Sequence, residues 1–232
     1  MQLPTGAILW AREVDSRPWD YALLTGSSSI HHALECGLLL ADMLGEDRIG
    51  WRSAADHLAD AIRNCPDAFE PKTRWAMDWY YPVLTNVLTG EAARLRLSSM
   101  WDTFAMDRLG IRCVSDEPWV TAAETAECSM AHAAAGDLTA IDLLRWTRPH
   151  RSADGSYLTG LVHPDGISFP SDEVTAYTAA AVILAADSIT AANPASRIFL
   201  PRSAARLTPA CRPATSPIVD AFAPTSMWEI DA

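Results

Sequence analysis

The chain has 232 residues, 49% of them hydrophobic, enough to bury one substantial core, so a single globular domain is the expectation. A net charge of -11 and a pI near 4.9, with no Lys/Arg cluster to interrupt them, exclude phosphate backbones and anionic lipid surfaces as partners. The five cysteines (Cys36, Cys65, Cys113, Cys128 and Cys211) are odd in number, widely spaced and without a CxxC pair, which excludes a disulfide framework and a zinc knuckle.

The N-terminus has no basic region followed by an apolar run, and no stretch has the length and apolarity to span a bilayer, so the cytoplasm is the expected compartment. In chain order, the first helix is expected from about Ser28 to Leu44, with Ile30, Leu34, Leu38 and Leu39 at helical spacing behind N-terminal serines. After Gly45, Trp51 to Arg63 carries a second apolar stripe through Ala55, Leu58 and Ile62, and the two segments read as a helical hairpin.

The unit recurs. Tyr80 to Leu88 and Glu91 to Met106 form a second pair, Val120 to Ala135 and Leu138 to Trp146 a third, and a last helix runs from about Glu173 to Ala192. Thr121 to Glu124 has the form of a capping box, and Gly90 and Gly136 stand where helices must reverse. The Gly/Asp/Pro-rich stretch from Arg148 to Ser171 reads as an ordered loop with a short hairpin. Residues 1–192 are thus the helical domain, and 193–232 a Pro-rich irregular tail whose Ile218, Val219, Phe222 and Trp228 supply apolar surface for packing.

Long loops precede the first helix of each pair, so they should gather at one end of the domain. They carry clustered carboxylates and aromatics, and Ser115-Asp116-Glu117 recurs 56 positions on as Ser171-Asp172-Glu173. Each acidic cluster has two readings, a helix cap or a site. Glu124 and Glu127, three apart on an Ala-rich helix, are a solvated face or a site. Asp78 stands among Trp79, Tyr80 and Tyr81, a setting that packs a core or raises a carboxyl pKa. His31 and His32 are adjacent, so one faces inward and one outward rather than both facing one metal. No Gly-rich phosphate loop, GxSxG elbow, HExxH or DDxxD motif is present, and neither a metal nor a cofactor is expected.

The segments LLTGSSSIHHALECG, WAMDWYYPVL, RCVSDEPWVTAAETAE, DGSYLTG and FPSDEVTAYTAAAVILAAD, between Asp20 and Asp187, resemble the C-terminal part of a bacterial group described as prenyltransferase- or squalene-cyclase-like. That resemblance implies an all-α fold, an α/α toroid of the terpenoid-cyclase and protein-prenyltransferase kind. It is incomplete at about seven helices in hairpins, with a homodimer or companion subunit completing the ring. The DxDD protonating motif and the zinc-binding set of those enzymes are both absent.

The resulting expectation is a metal-independent acid/base cyclisation or isomerisation of a small, partly apolar substrate. Asp116 or Asp172 is the expected acid, with Asp78 and Glu124 as partners. Trp79, Tyr80, Glu117, Trp119, Glu127, Tyr157, Glu173, Tyr177 and His31 are the expected substrate-binding residues. The alternatives are a carbohydrate-processing or carbohydrate-binding toroid and a non-catalytic partner subunit. Paired carboxyls across a polar cleft would favour sugars, and an enclosed apolar cavity a prenyl-like substrate.

Overall fold

A computed structural model describes residues 1–201, and the Pro-rich segment with Ile218, Val219, Phe222 and Trp228 lies outside them. The described chain is mainly helical: α1 (Leu24–Leu44), α2 (Ile49–Asn64), α3 (Ala76–Leu84), α4 (Gly90–Ser99), α5 (Trp101–Phe104), α6 (Ala122–Ala134), α7 (Thr139–Trp146) and α8 (Ala176–Thr190). Among them run five short strands, β1 (Ala105–Met106), β2 (Gly110–Arg112), β3 (Trp119–Thr121), β4 (Gly160–Val162) and β5 (Ile167–Ser168), which form one antiparallel meander.

The expected helical hairpins are present as α1 on α2, α3 on α4, and α6 on α7. Helices α1, α3, α6 and α8 also pack side by side in that order. Each starts from a long loop, and the loops are stitched together by backbone hydrogen bonds: Glu70 N to Ala22 O (2.8 Å), Ala76 N to Cys113 O (3.0 Å), Ala122 N to Thr159 O (3.1 Å) and Thr159 N to Glu173 O (2.9 Å). The four helices therefore run the same way from one end, an inner layer backed by α2, α4 and α7.

Helix α6 is the centre of this layer. Ala122, Ala123, Ala126, Ala131 and Ala133 are all buried, on every side of the helix, which lets α3, α7 and α8 approach it closely. Ser129 Oγ donates to Ala140 O (2.7 Å), and His132 pairs with Asp137 (2.9 Å) to fix the turn into α7.

The all-α expectation is corrected by the sheet. Its strands are two or three residues long, too short to show a period of two in sequence, and they occupy loop segments and the edges of expected helices. The expected helix from Glu91 to Met106 breaks at Met100 and ends as β1, and Val120 belongs to β3 rather than α6. The stretch from Arg148 to Ser171 does contain a hairpin, β4 with β5.

Helix α3 begins at Ala76, four residues before the expected start, so Pro82 falls inside it. Pro82 has no N–H for the Asp78 carbonyl, and Arg96 substitutes: its Nη2 donates to Asp78 O (2.8 Å) and its Nε to Trp79 O (2.9 Å). Of the expected α1 stripe only Leu38 is buried, while Ile30, Leu39, Leu40, Met43 and Leu44 are exposed.

Gly110 joins the sheet to α6 at φ +134, where an added Cβ would lie 2.6 Å from Thr125 Oγ1 and 2.7 Å from Val120 Cγ1. Thr125 Oγ1 there accepts from Ile111 N (2.9 Å) and donates to Thr121 O (2.6 Å). Gly110→Ala is expected to cost about 2–4 kcal/mol of stability through backbone strain and overpacking, read from the urea midpoint.

Candidate functional site

The four inner helices enclose a cavity of about 320 Å³. Helix α1 contributes Ser29 and His32, α3 Tyr81, Leu84 and Thr85, α6 Glu127 and Met130, and α8 Tyr177, Ala180, Ala181 and Leu184, with Phe199 closing one side. Asn86 Nδ2 donates to Phe199 O (3.0 Å), and the Phe199 ring stacks on His32 at 5.0 Å.

Glu127 is the carboxylate of this cavity, 6% exposed on the second turn of α6. Tyr80 donates to its Oε2 (2.7 Å), and Tyr81 (3.2 Å) and Tyr177 donate to its Oε1. Burial pushes the Glu127 carboxyl up to about 7; the Tyr177, Tyr80 and Tyr81 hydroxyls pull it down, and neighbouring Glu124 pushes it up. Burial and the facing carboxylate raise all three phenols above their ordinary range, so they remain donors.

The spacing rationale is simple. Tyr80 and Tyr81 are consecutive on α3 and reach one carboxyl from two sides, while Tyr177 arrives from the first turn of α8. Glu127, Tyr80 and Tyr177 were all on the expected binding list, and the structure brings them together. Tyr81, His32 and the apolar wall were not selected from sequence. Tyr81 stood in the same Asp-Trp-Tyr-Tyr run and was the one legible signal; Phe199 and Leu184 had none.

The other expected residues lie elsewhere. Asp116 is exposed and paired with Arg74 (3.0 Å), whose hydrogen bond holds its carboxyl below the usual range, the opposite of a raised acid. Ser115-Asp116-Glu117 forms a turn between β2 and β3 and opens no helix. Asp172, at φ 53, accepts from Ser168 Oγ (3.2 Å), and Glu173 accepts from Thr159 Oγ1 (2.7 Å); both are exposed, as is Glu117.

Trp79 is a core residue, 2% exposed, stacked on Phe104 at 5.6 Å and donating to Arg96 O (2.7 Å). Trp119 meets Phe169 edge-on at 5.3 Å, and Tyr157 is buried in the main core. His31 is buried and lines an adjoining, polar hollow with Glu35, Asp56 and Arg63.

Two further carboxylates from the expected list, Glu124 on α6 and Asp78 on α3, do not line the Glu127 cavity. Glu124, one helical turn nearer the loops, takes the hydroxyl of Thr121 and the thiol of Cys113 (3.3 Å). The expected capping box is therefore not formed: the Thr121 hydroxyl is spent on the Glu124 side chain instead of a backbone N–H. Asp78, buried on α3, accepts from Thr25 Oγ1 (3.4 Å), and burial raises its carboxyl against the opposing pull of Arg96. Among the described residues no cluster of three or more His, Cys, Asp or Glu is arranged to hold a metal, and no helix is long and apolar enough to cross a membrane.

No known family profile matches the chain. Over 200 residues it is 49% identical to the MMP endo-(1,4)-3-O-methyl-alpha-D-mannosidase of Mycolicibacterium hassiacum, an alignment covering 86% of this chain and 55% of that protein. The chain thus spans about half the length of this relative. The similarity overturns the resemblance to prenyltransferases and squalene cyclases, and with it the expected cyclisation or isomerisation of a biosynthetic, prenyl-like substrate: the relative is named as a mannosidase. The segments that carried that resemblance implied a shared fold, and a shared fold does not fix chemistry.

The raised Glu127 carboxyl has a consequence for stability. Between its ordinary value of 4.5 and about 7 the unfolded chain loses this proton while the folded chain keeps it, so this group's contribution falls as pH rises through that window. Glu127→Gln, which mimics the protonated form, is expected to abolish that loss. Urea unfolding of the two proteins should show the variant gaining on the parent by on the order of 3 kcal/mol between about pH 4.5 and pH 8.

Proposed function

We propose that this chain carries the acid half of a glycoside-hydrolysing site, with Glu127 as proton donor to the oxygen of a mannosidic bond. The observation that carries this reading is a carboxyl held near pH 7 in a cavity and faced by three tyrosine hydroxyls. The relative's name supports carbohydrate as the substrate class, the alternative set beside the cyclase from sequence.

The chemistry follows from the network. Protonated Glu127 delivers its proton to the leaving oxygen as the bond from the anomeric carbon breaks, and a water adds to that carbon. The carboxylate left behind is the form that accepts all three tyrosine hydrogen bonds. The tyrosines therefore stabilise the charge that develops on Glu127 during transfer more than they stabilise the starting acid.

A second carboxylate must activate the water or attack the sugar. Glu124, one helical turn before Glu127 on α6, and Asp78, on the neighbouring α3, are proposed for that role, while exposed, Arg74-paired Asp116 is not. Glu127→Gln should lower hydrolysis of α-(1,4)-linked 3-O-methylmannose oligosaccharides by about 10²–10⁴-fold. Asp116→Asn should stay near the parent rate, and parental kcat/KM should decline above about pH 7 as the acid is lost. Full activity in Glu127→Gln would remove the proposal, and azide rescue of Glu124→Ala or Asp78→Ala identifies the partner.

The parallel inner layer α1-α3-α6-α8, backed by α2, α4 and α7, supports a finer reading of the fold as an arc of an α/α toroid. Its α1 flank exposes Leu39, Leu40, Met43 and Leu44, and we assign that flank to contact with a second copy of the chain. Light scattering should then give a dimer, and Leu40→Glu with Met43→Glu should return it to a monomer.

A further inference from the structure

Beyond the Glu127 hydroxyl cluster the cavity lining is largely apolar. Met130, Ala180, Ala181, Leu184, Leu84 and Phe199 face the same cavity as Glu127, Tyr81, Tyr177, His32 and Ser29. A cavity for an ordinary hexose needs hydrogen-bonding groups on most sides, because each hydroxyl that leaves water for an apolar surface loses its partners. The adjoining hollow, which shares His32 and Thr85 with this one, sets the charged or polar side chains of His31, Glu35, Asp56 and Arg63 among Leu39, Ile198 and Leu200. The apolar wall is therefore a property of the Glu127 cavity and not of the cleft as a whole.

Four of these apolar residues come from two adjacent helices, α6 and α8. Met130 stands one turn beyond Glu127 on α6, and Ala180, Ala181 and Leu184 continue α8 beyond Tyr177. The acid and these residues are thus set at a fixed offset along two adjacent helices that line one cavity.

We propose that Met130, Ala181 and Leu184 determine specificity by receiving a methyl ether on the sugar bound at Glu127, and so reject the sugar with a free hydroxyl there. This rests on the hydrolase reading above. A methyl ether has no hydrogen to donate, and its carbon replaces water on an apolar surface. A free hydroxyl in the same place keeps neither its water nor a protein partner. A group of one-carbon size in an apolar pocket is worth about 10–200-fold in kcat/KM, which sets the expected preference.

The test uses α-(1,4)-linked mannose oligosaccharides of matched length, 3-O-methylated and unmethylated, with the full chain. The parent should prefer the methylated series by about tenfold or more. Leu184→Asn and Met130→Gln should cut that ratio about tenfold by giving the hydroxyl a partner. Ala181→Ser, the mildest change and the one least able to disturb folding, should move it in the same direction. Ile183→Asn, on the exposed side of α8, should leave the rates and the ratio unchanged. Equal parental rates on both series, or variants that lower both rates in parallel with the ratio kept, overturn the proposal while the hydrolase reading stands. A parent that cleaves neither series brings down the hydrolase reading and this inference with it.

Discussion

The constraint on which this structure depends is the placing of an acidic side chain inside its most buried helix. A lone carboxylate in that position would be prohibitively costly to ionise, and the fold answers with three tyrosine hydroxyls from two other helices. The same hydrogen bonds hold α3, α6 and α8 in register, so the packing of the inner layer and the poise of the acid have one cause. Arg96, which repairs the backbone gap left by Pro82, keeps α3 straight where Tyr80 and Tyr81 must reach across.

The architecture and the chemistry were legible in the sequence to different degrees. Helical periodicity placed the three hairpins and the last helix, and the rule that long loops precede alternate helices anticipated their stitched arrangement at one end. The strands escaped because two- and three-residue elements have no readable period. The repeated Ser-Asp-Glu drew attention to exposed turns: a recurring acidic tripeptide is conspicuous in sequence, but solvent and Arg74 satisfy it without any special environment. Glu127 had the opposite character. It stands on an alanine-rich helix, and only the fold discloses that those alanines are buried on all sides and that tyrosines 46 to 50 residues away converge on it.

The cavity alone does not separate the two readings of the site. Apolar lining beside a poised carboxylic acid is what a cyclase of greasy substrates would also display. Similarity to a protein named as a 3-O-methyl-alpha-D-mannosidase sets the cyclase aside, and under the proposed function a methyl ether is the part of a carbohydrate that an apolar wall accepts. Site character and substrate polarity then need not match overall; they need match only face by face.

The alanine content of α6 bears on how tightly the acid is held. Alanine has no rotamers to lose, so a helix walled by Ala122, Ala123, Ala126, Ala131 and Ala133 becomes fixed against three neighbours with almost no side-chain entropy surrendered there. The element that carries Glu127 is thus immobilised cheaply, and thermal wandering of its carboxyl is limited by the stiffness of the helix rather than by a collar of bulky side chains.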